Sequence, residues 1–283
     1  MRYALPFLLA CAWAAPALAD DVIPPVVGGH TWTQHRVELL KARHPQIAWI
    51  RVEGAAEAGK PGLVFADTQA ISSVLKPVAH PAAVGTSRER GLQVVRHPFL
   101  SSTGHTLGTV AVAFRRPSSR NAAVAAAVAA DLAPTTLSAK NAADPWPYDP
   151  HFRGVTYAQK VVDSFVRRYP DLLVMMIHAT PPGQKVNVII GSNIGRIGKA
   201  ADEDDLRVIE KGSTNLEVAD SGDRFETELP LNDATGRRIG ALGLVFKFGA
   251  GADREALHSH GRAIRDALAR EIPSNAALFA PAK

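Results

Sequence analysis

The residues with the clearest chemical potential stand in the stretch from Gly191 to Leu206. Asn193, Arg196 and Lys199 lie there on a glycine-rich loop, where backbone N–H groups and two cations could hold a carboxylate or phosphate. The same residues also fit a plain turn, with Gly195 and Gly198 supplying backbone freedom and both cations facing water. Asp202, Asp204 and Asp205 follow, just ahead of Leu206-Arg207-Val208-Ile209. Carboxylates so placed cap the free N–H groups of a short helix and favour the positive end of its dipole. A calcium loop would need more alternating oxygen ligands and a bidentate carboxylate at EF-hand spacing. A third set, Arg224, Glu226 and Glu228, alternates with Phe225, Thr227 and Leu229. That is a half-buried antiparallel strand whose charged side faces solvent or a pocket, and solvent is the expected side. Glu226 and Glu228 could work as an acid–base pair, but any exposed strand produces the same spacing.

Other chemistry is poorly supported. There are 10 histidines, yet His258 and His260 fall on different faces of a helix, and His30, His35 and His44 form no ligand motif. The one cysteine is Cys11, near the N-terminus. Downstream of it, disulfides, thiolate metal sites and cysteine nucleophiles are excluded. No nucleophile elbow, phosphate-binding loop, zinc-protease helix or dinucleotide fingerprint occurs. The expectation is a protein that is not an enzyme, with no cofactor and no metal. Trp49, Met175 and Met176 sit within apolar strands and suit core packing, or else the lining of an apolar pocket.

The elements that must position these residues occur twice. Residues 44–68 and 169–193 align without a gap, each reading as strand, short polar turn, strand. Further on, Pro98-Phe99-Leu100 and Thr103-Gly104 match Pro230-Leu231-Asn232 and Thr235-Gly236, after a longer connection in the second copy. A helix precedes each copy, near Thr31 to Arg43 and Thr156 to Arg168; the second carries Tyr157, Val161, Phe165 and Tyr169 on one face. Pro45 and Pro170 mark where those helices end. A terminal helix closes each copy, Asn121 to Leu132 and Asp253 to Ile272. Self-similarity over so long a period means two duplicated domains rather than a solenoid.

The N-terminus reads as an export signal over residues 1–19. Arg2 is followed by an apolar run from Leu5 to Trp13 and by Ala17-Leu18-Ala19 at the cleavage site. The run is shorter than the roughly 20 residues of a membrane span. Leu8-Leu9-Ala10-Cys11 offers a competing lipoprotein cleavage with a lipid anchor on Cys11. The remaining divisions are a first domain over 20–133, a proline-rich linker over 134–150, a second domain over 151–273 and a frayed tail over 274–283. Charge is mixed, with 32 Lys and Arg against 27 Asp and Glu. No basic stripe suggests nucleic acid, and no second long apolar segment suggests a membrane-spanning chain.

The order helix, two strands, helical loop, hairpin strands, helix resembles that of PAS-like sensor modules. In the second copy, Gly191-Ser192-Asn193-Ile194-Gly195-Arg196-Ile197-Gly198-Lys199 and the acidic residues after it resemble the loop of extracytoplasmic Cache domains. Gly240-Ala241-Leu242-Gly243-Leu244-Val245-Phe246 is similar to the last strand of their sheet. The first copy departs from this, with Gln69-Ala70-Ile71-Ser72-Ser73-Val74 in place of the loop. The resemblance implies an α+β fold of two tandem PAS/Cache-like domains, each an antiparallel sheet flanked by helices. It also implies a ligand held between sheet and loops. The expectation is then a periplasmic or secreted protein that binds or senses a small molecule, chiefly in the second domain through Asn193, Arg196, Lys199, Arg224 and Glu226. The alternative is an interaction module with filled pockets that docks an envelope partner.

Overall fold

The computed structural model describes residues 30–55, 61–78, 82–152 and 154–282. The expected export signal over 1–19 and the alternative lipid anchor at Cys11 lie outside the described residues. The remainder is α+β, and the duplication is plain in its elements.

The first module begins with helix α1 (Trp32–Arg43) and strands β1 (Ile47–Gly54) and β2 (Gly62–Asp67). A 3-10 turn, Ile71–Ser73, leads to β3 (Pro77–Val78), β4 (Gly85–Glu89), β5 (Leu92–Leu100), β6 (Thr106–Phe114) and helix α2 (Asn121–Leu132). The second has α4 (Tyr157–Arg168), β7 (Leu172–Ala179), β8 (Val188–Ser192), α5 (Glu203–Lys211), β9 (Asn215–Val218), β10 (Arg224–Asn232), β11 (Arg238–Lys247) and α6 (Arg254–Glu271). The sheets are ordered β3-β2-β1-β6-β5-β4 and β8-β7-β11-β10-β9. Apart from the short edge strand β3, the two orders are the same.

A shared device fixes each first helix to its sheet. Thr31 caps α1 by accepting from the Gln34 amide at 2.9 Å and donates its hydroxyl to the Phe65 carbonyl at 2.6 Å. Gln34 accepts from the Asp67 amide at 2.7 Å and donates to Glu38. In the second module Thr156 accepts from Gln159 and donates to Ile190, while Gln159 accepts from the Ser192 amide at 3.0 Å and donates to Asp163. A capping threonine with glutamine three residues on thus satisfies both a helix end and a strand edge. A second paired feature is glycine. A Cβ on Gly108 would stand 1.9 Å from the Glu53 carbonyl oxygen, and one on Gly240 1.8 Å from that of His178.

Strand alternation separates two faces in each sheet. The helix-covered face of the first carries Ile50, Val52, Val95, Phe99, Val110 and Val112. Its counterpart in the second carries Met175, Ile177, Phe225, Leu242, Leu244 and Phe246. The opposite faces meet the loops, and the candidate chemistry lies there.

Two sequence expectations need correction. The segment 134–150 is not a bare spacer. It contains a short helix, α3 (Ala139–Ala142), and Asn141, Ala142, Ala143 and Asp144 are buried. The Trp32 amide donates to the Asp144 carbonyl on one side, while Asn141 Nδ2 donates to the Ile194 carbonyl at 2.8 Å on the other. Trp146 stacks on His35 at 4.6 Å and lies 4.8 Å from Trp32. Burial and the neighbouring Arg36 bring His35 down to about 4, so its ring is neutral in that stack. The proline stretch runs through a series of bends, and the strap's contacts reach both modules. Residues 274–282, within the expected tail 274–283, are likewise not frayed: α7 (Asn275–Leu278) buries Leu278, and the Tyr157 amide donates to the Ala280 carbonyl at 2.8 Å.

Candidate functional site

Each residue expected to bind in the second module is engaged within the fold. Asn193 extends the β7 edge, accepting from the Met175 amide and donating to the Leu173 carbonyl, both at 2.9 Å. Arg196, at φ 67, turns inward and its Nε donates to Asp144 of the strap at 2.9 Å. Burial works against that guanidinium's charge, but the Asp144 carboxylate outweighs it and its pKa is raised. The Lys199 backbone closes the loop, its carbonyl accepting from the Ile189 amide. Arg224 Nη1 donates to the Leu137 carbonyl at 3.3 Å. The turn reading accounts for the glycines, since Gly195 packs against the Trp32 ring and Gly198 against Asp149.

The charged side of β10 faces inward, which corrects the expectation of solvent. Glu226 lies over Gly243, and burial together with Glu217, opposed by Arg196, pushes its carboxyl up to about 7. Glu228 is 7% exposed and is raised by burial and by its hydrogen bond to Asp205. The acidic residues before α5 do cap it, as expected. Asp202 accepts from the Asp205 amide, and Asp205 accepts from the Asp202 amide at 3.0 Å. Along the rest of this face, Ile194 and Ile197 are buried against Val174, Met176, Ile189 and Val245. The loop fills the place that was expected to hold a ligand.

The equivalent face of the first module is open. Arg51 on β1 and Arg96 on β5 are both paired in register with Ala111 of the intervening β6. Two guanidiniums therefore flank a floor that carries only a methyl group. Arg51 donates to Glu53 at 2.6 Å and to Asp67 at 2.8 Å. Burial disfavours its charge, yet these bonds prevail and raise its pKa. Arg96 donates to Ser87 at 2.9 Å and to Glu89 at 2.7 Å. The Ser87 hydroxyl and Arg96 in turn hold the Glu89 carboxyl below its usual range. With Trp49, Gln69 and Ala82 these residues enclose about 260 Å³.

Comparison by position explains why one face is open and the other closed. The duplication places Met176, Ser192, Glu228 and Gly243 where the first module has Arg51, Asp67, Arg96 and Ala111. The first module's loop, with its 3-10 turn, lies over Asp67, which accepts from the Gln69 and Ala70 amides and from Ser73. Sequence reasoning did not single out Arg51, Glu53, Asp67 or Arg96. The signal was present in the alternation of Trp49, Arg51 and Glu53 along a strand, the same pattern that pointed to β10. No group of three or more potential ligands is arranged for a metal among the described residues.

No family model and no curated protein matches the chain. Among solved structures it is similar to the Agobacterium tumefaciens repressor BlcR at 10% identity, over 44% of this chain and 70% of that one, with a TM-score of 0.31. A putative GAF sensor protein from Burkholderia vietnamiensis matches at 16% identity over 42% and 76%, with a TM-score of 0.32. PelD from Pseudomonas aeruginosa matches at 13% over 84% and 75%, with a TM-score of 0.21. Likenesses this distant assign neither a family nor a function.

Proposed function

We propose that the chain is an exported, non-enzymatic protein of the PAS/Cache-like kind that binds a small polar molecule in its first module. The observation that carries this reading is the pair of arginines either side of Ala111, each oriented by carboxylates within a cavity of about 260 Å³. Such a volume suits a compact ligand, and guanidiniums already fixed in place lose little entropy on making a further charge-assisted bond. Three carboxylates and two guanidiniums share the cavity, so a ligand offering both donors and acceptors fits better than a polyanion. The Trp49 ring supplies an apolar wall.

The interaction-module reading suits the second module better, supported by Ile194 and Ile197 filling the loop-side face and by the Arg196–Asp144 bond to the strap. One experiment covers both readings. Residues 20–283 are screened by thermal shift against amino acids, carboxylates, nucleobases, polyamines and metal ions. Saturation at about 100 times the dissociation constant adds about 2.7 kcal/mol, a shift of several °C. A hit is expected to weaken about tenfold or more in Arg96→Ala, a loss of at least about 1.4 kcal/mol of binding. A hit insensitive to Arg96→Ala and Arg51→Ala places binding elsewhere. Silence across the panel favours partner docking for the whole chain.

A further inference from the structure

At one end of the first sheet the connections emerge in a row. Ile47 of β1 and Gln93 of β5 both pair in register with Phe114 of β6, and Leu92 of β5 pairs with Glu89 of β4. The last turn of α1 leads straight into this end, since the Ile47 amide donates to the His44 carbonyl at 2.9 Å. That turn carries Lys41 and Arg43, the β4–β5 turn carries Arg88 and Arg90, and the β6–α2 connection carries Arg115, Arg116 and Arg120. All are exposed except Lys41, which is half-buried. The Ser118 amide and the Asn121 side chain both donate to Gln93 Oε1, at 2.9 and 2.7 Å, and fold the last connection back against the sheet end.

Little at this end offsets those cations. Its acids have other partners: Glu38 bonds Gln34 and His30, Asp67 bonds Arg51, and Glu89 bonds Ser87 and Arg96. Helix α2 has no acid in its first turn and no side-chain cap. Among the described residues, none of the cations on the three turns forms a side-chain ion pair. The twin end of the second sheet is balanced. Its β9–β10 turn carries Asp220 and Asp223, α6 opens on Asp253 and Glu255, and Arg168 pairs with Glu271 at 2.9 Å. In the first module Lys41 and Arg115 also line an open groove of about 430 Å³ with Glu38, Pro45, Ile47 and Thr68.

We propose that this basic end of the first module docks on an anionic phospholipid surface, with Lys41 and Arg115 seating a headgroup phosphate in the groove between them. Cations spread over three neighbouring turns meet a sheet of charge together, and each adds an attraction that salt screens. A bilayer fits this arrangement better than a nucleic acid. None of the three turns carries Phe, Tyr or Trp on which a base could stack, and the cations do not run along one helix that could enter a groove. The surface uses neither Arg51 nor Arg96, so it is independent of ligand binding in the first module.

Sedimentation of residues 20–283 with phosphatidylcholine vesicles, with and without about 30% phosphatidylglycerol, tests the docking. The chain so trimmed lacks the apolar run Leu5 to Trp13. The anionic vesicles are expected to bind about tenfold or more tightly, an advantage lost in about 1 M salt, where the screening length is about 3 Å. Arg115→Glu with Arg116→Glu should remove about tenfold or more of that binding. Arg167→Glu with Lys247→Glu makes the same change of net charge at the twin end, and should bind as the wild type does. If the first pair does not fold, Lys41→Glu with Arg120→Glu takes its place. Equal binding to both vesicle types overturns the docking, and equal loss in both pairs of substitutions overturns the assignment to this end. Two competitors complete the test. Release from the vesicles by inorganic phosphate at constant ionic strength marks a site for the free anion, and release by an oligonucleotide that binds more tightly marks a nucleic-acid surface. Either result overturns the proposal.

Discussion

Arg196 shows how a single side chain changes meaning once its surroundings are known. On a glycine-rich loop it reads as an anion ligand, but it spends its charge on Asp144 of the strap. Arg196→Ala should therefore lower stability, by on the order of 2–4 kcal/mol, because it leaves Asp144 buried without its cation. Urea unfolding measures this, and any ligand found for the first module should bind the variant unchanged. Glu226 gives a pH dependence. Its folded pKa of about 7 stands above the unfolded value near 4.5, so the folded state holds the proton more tightly. The stability it lends is complete below about pH 4.5 and is lost as pH rises through about 7. Comparing unfolding of wild type with Glu226→Gln across that range should show the wild type losing ground by roughly 1–2 kcal/mol, allowing for the carboxyl's partial exposure.

At the scale of elements, the paired threonine and glutamine bind each opening helix to its sheet. Gln159→Ala leaves the buried Ser192 amide without its acceptor, and Gln34→Ala does the same to Asp67. Each should cost about 1–3 kcal/mol in chemical denaturation, and the two should add, since the sites are in different modules. Gly240→Ala should be worse, because a methyl group there meets the His178 carbonyl oxygen rather than a side chain that can move. Much of this architecture was legible in the sequence. Residues 44–68 and 169–193 align, and they fold into the same strands in the same order. The capping role of Asp202 was legible for the same reason: it depends on neighbours close along the chain. What was not legible depends on what covers what. Alternation places Arg224, Glu226 and Glu228 on one face of β10 but does not say which face a loop covers. Likewise, whether Ile194 and Ile197 fill a face or leave it open depends on how the loop settles over Val174 and Met176. Proline content marked 134–150 as a connection and was silent on its burial.

On the scale of the whole molecule, one face is filled and its twin is open, so a duplicated sheet carries two distinct surfaces. A ligand in the first module would sit against Asp67, whose amide is held by Gln34 of α1, and α1 meets the strap through Trp32. Methyl shifts of Ile194 and Ile197 recorded with and without ligand should show whether occupancy is felt across that junction. A response limited to the first module would mark the strap as a rigid brace. The strap also separates two ideas that a repeat usually unites. The unit that was copied ends near residue 133, but the unit that can be cut out does not. A cut after Asp144 leaves a carboxylate in one fragment and a guanidinium in the other, a cut before it takes the Asp144 carbonyl from the Trp32 amide, and either strips Trp32 of its aromatic neighbour. The two halves are tenants in common, and neither can be lifted into another protein without taking part of its neighbour with it.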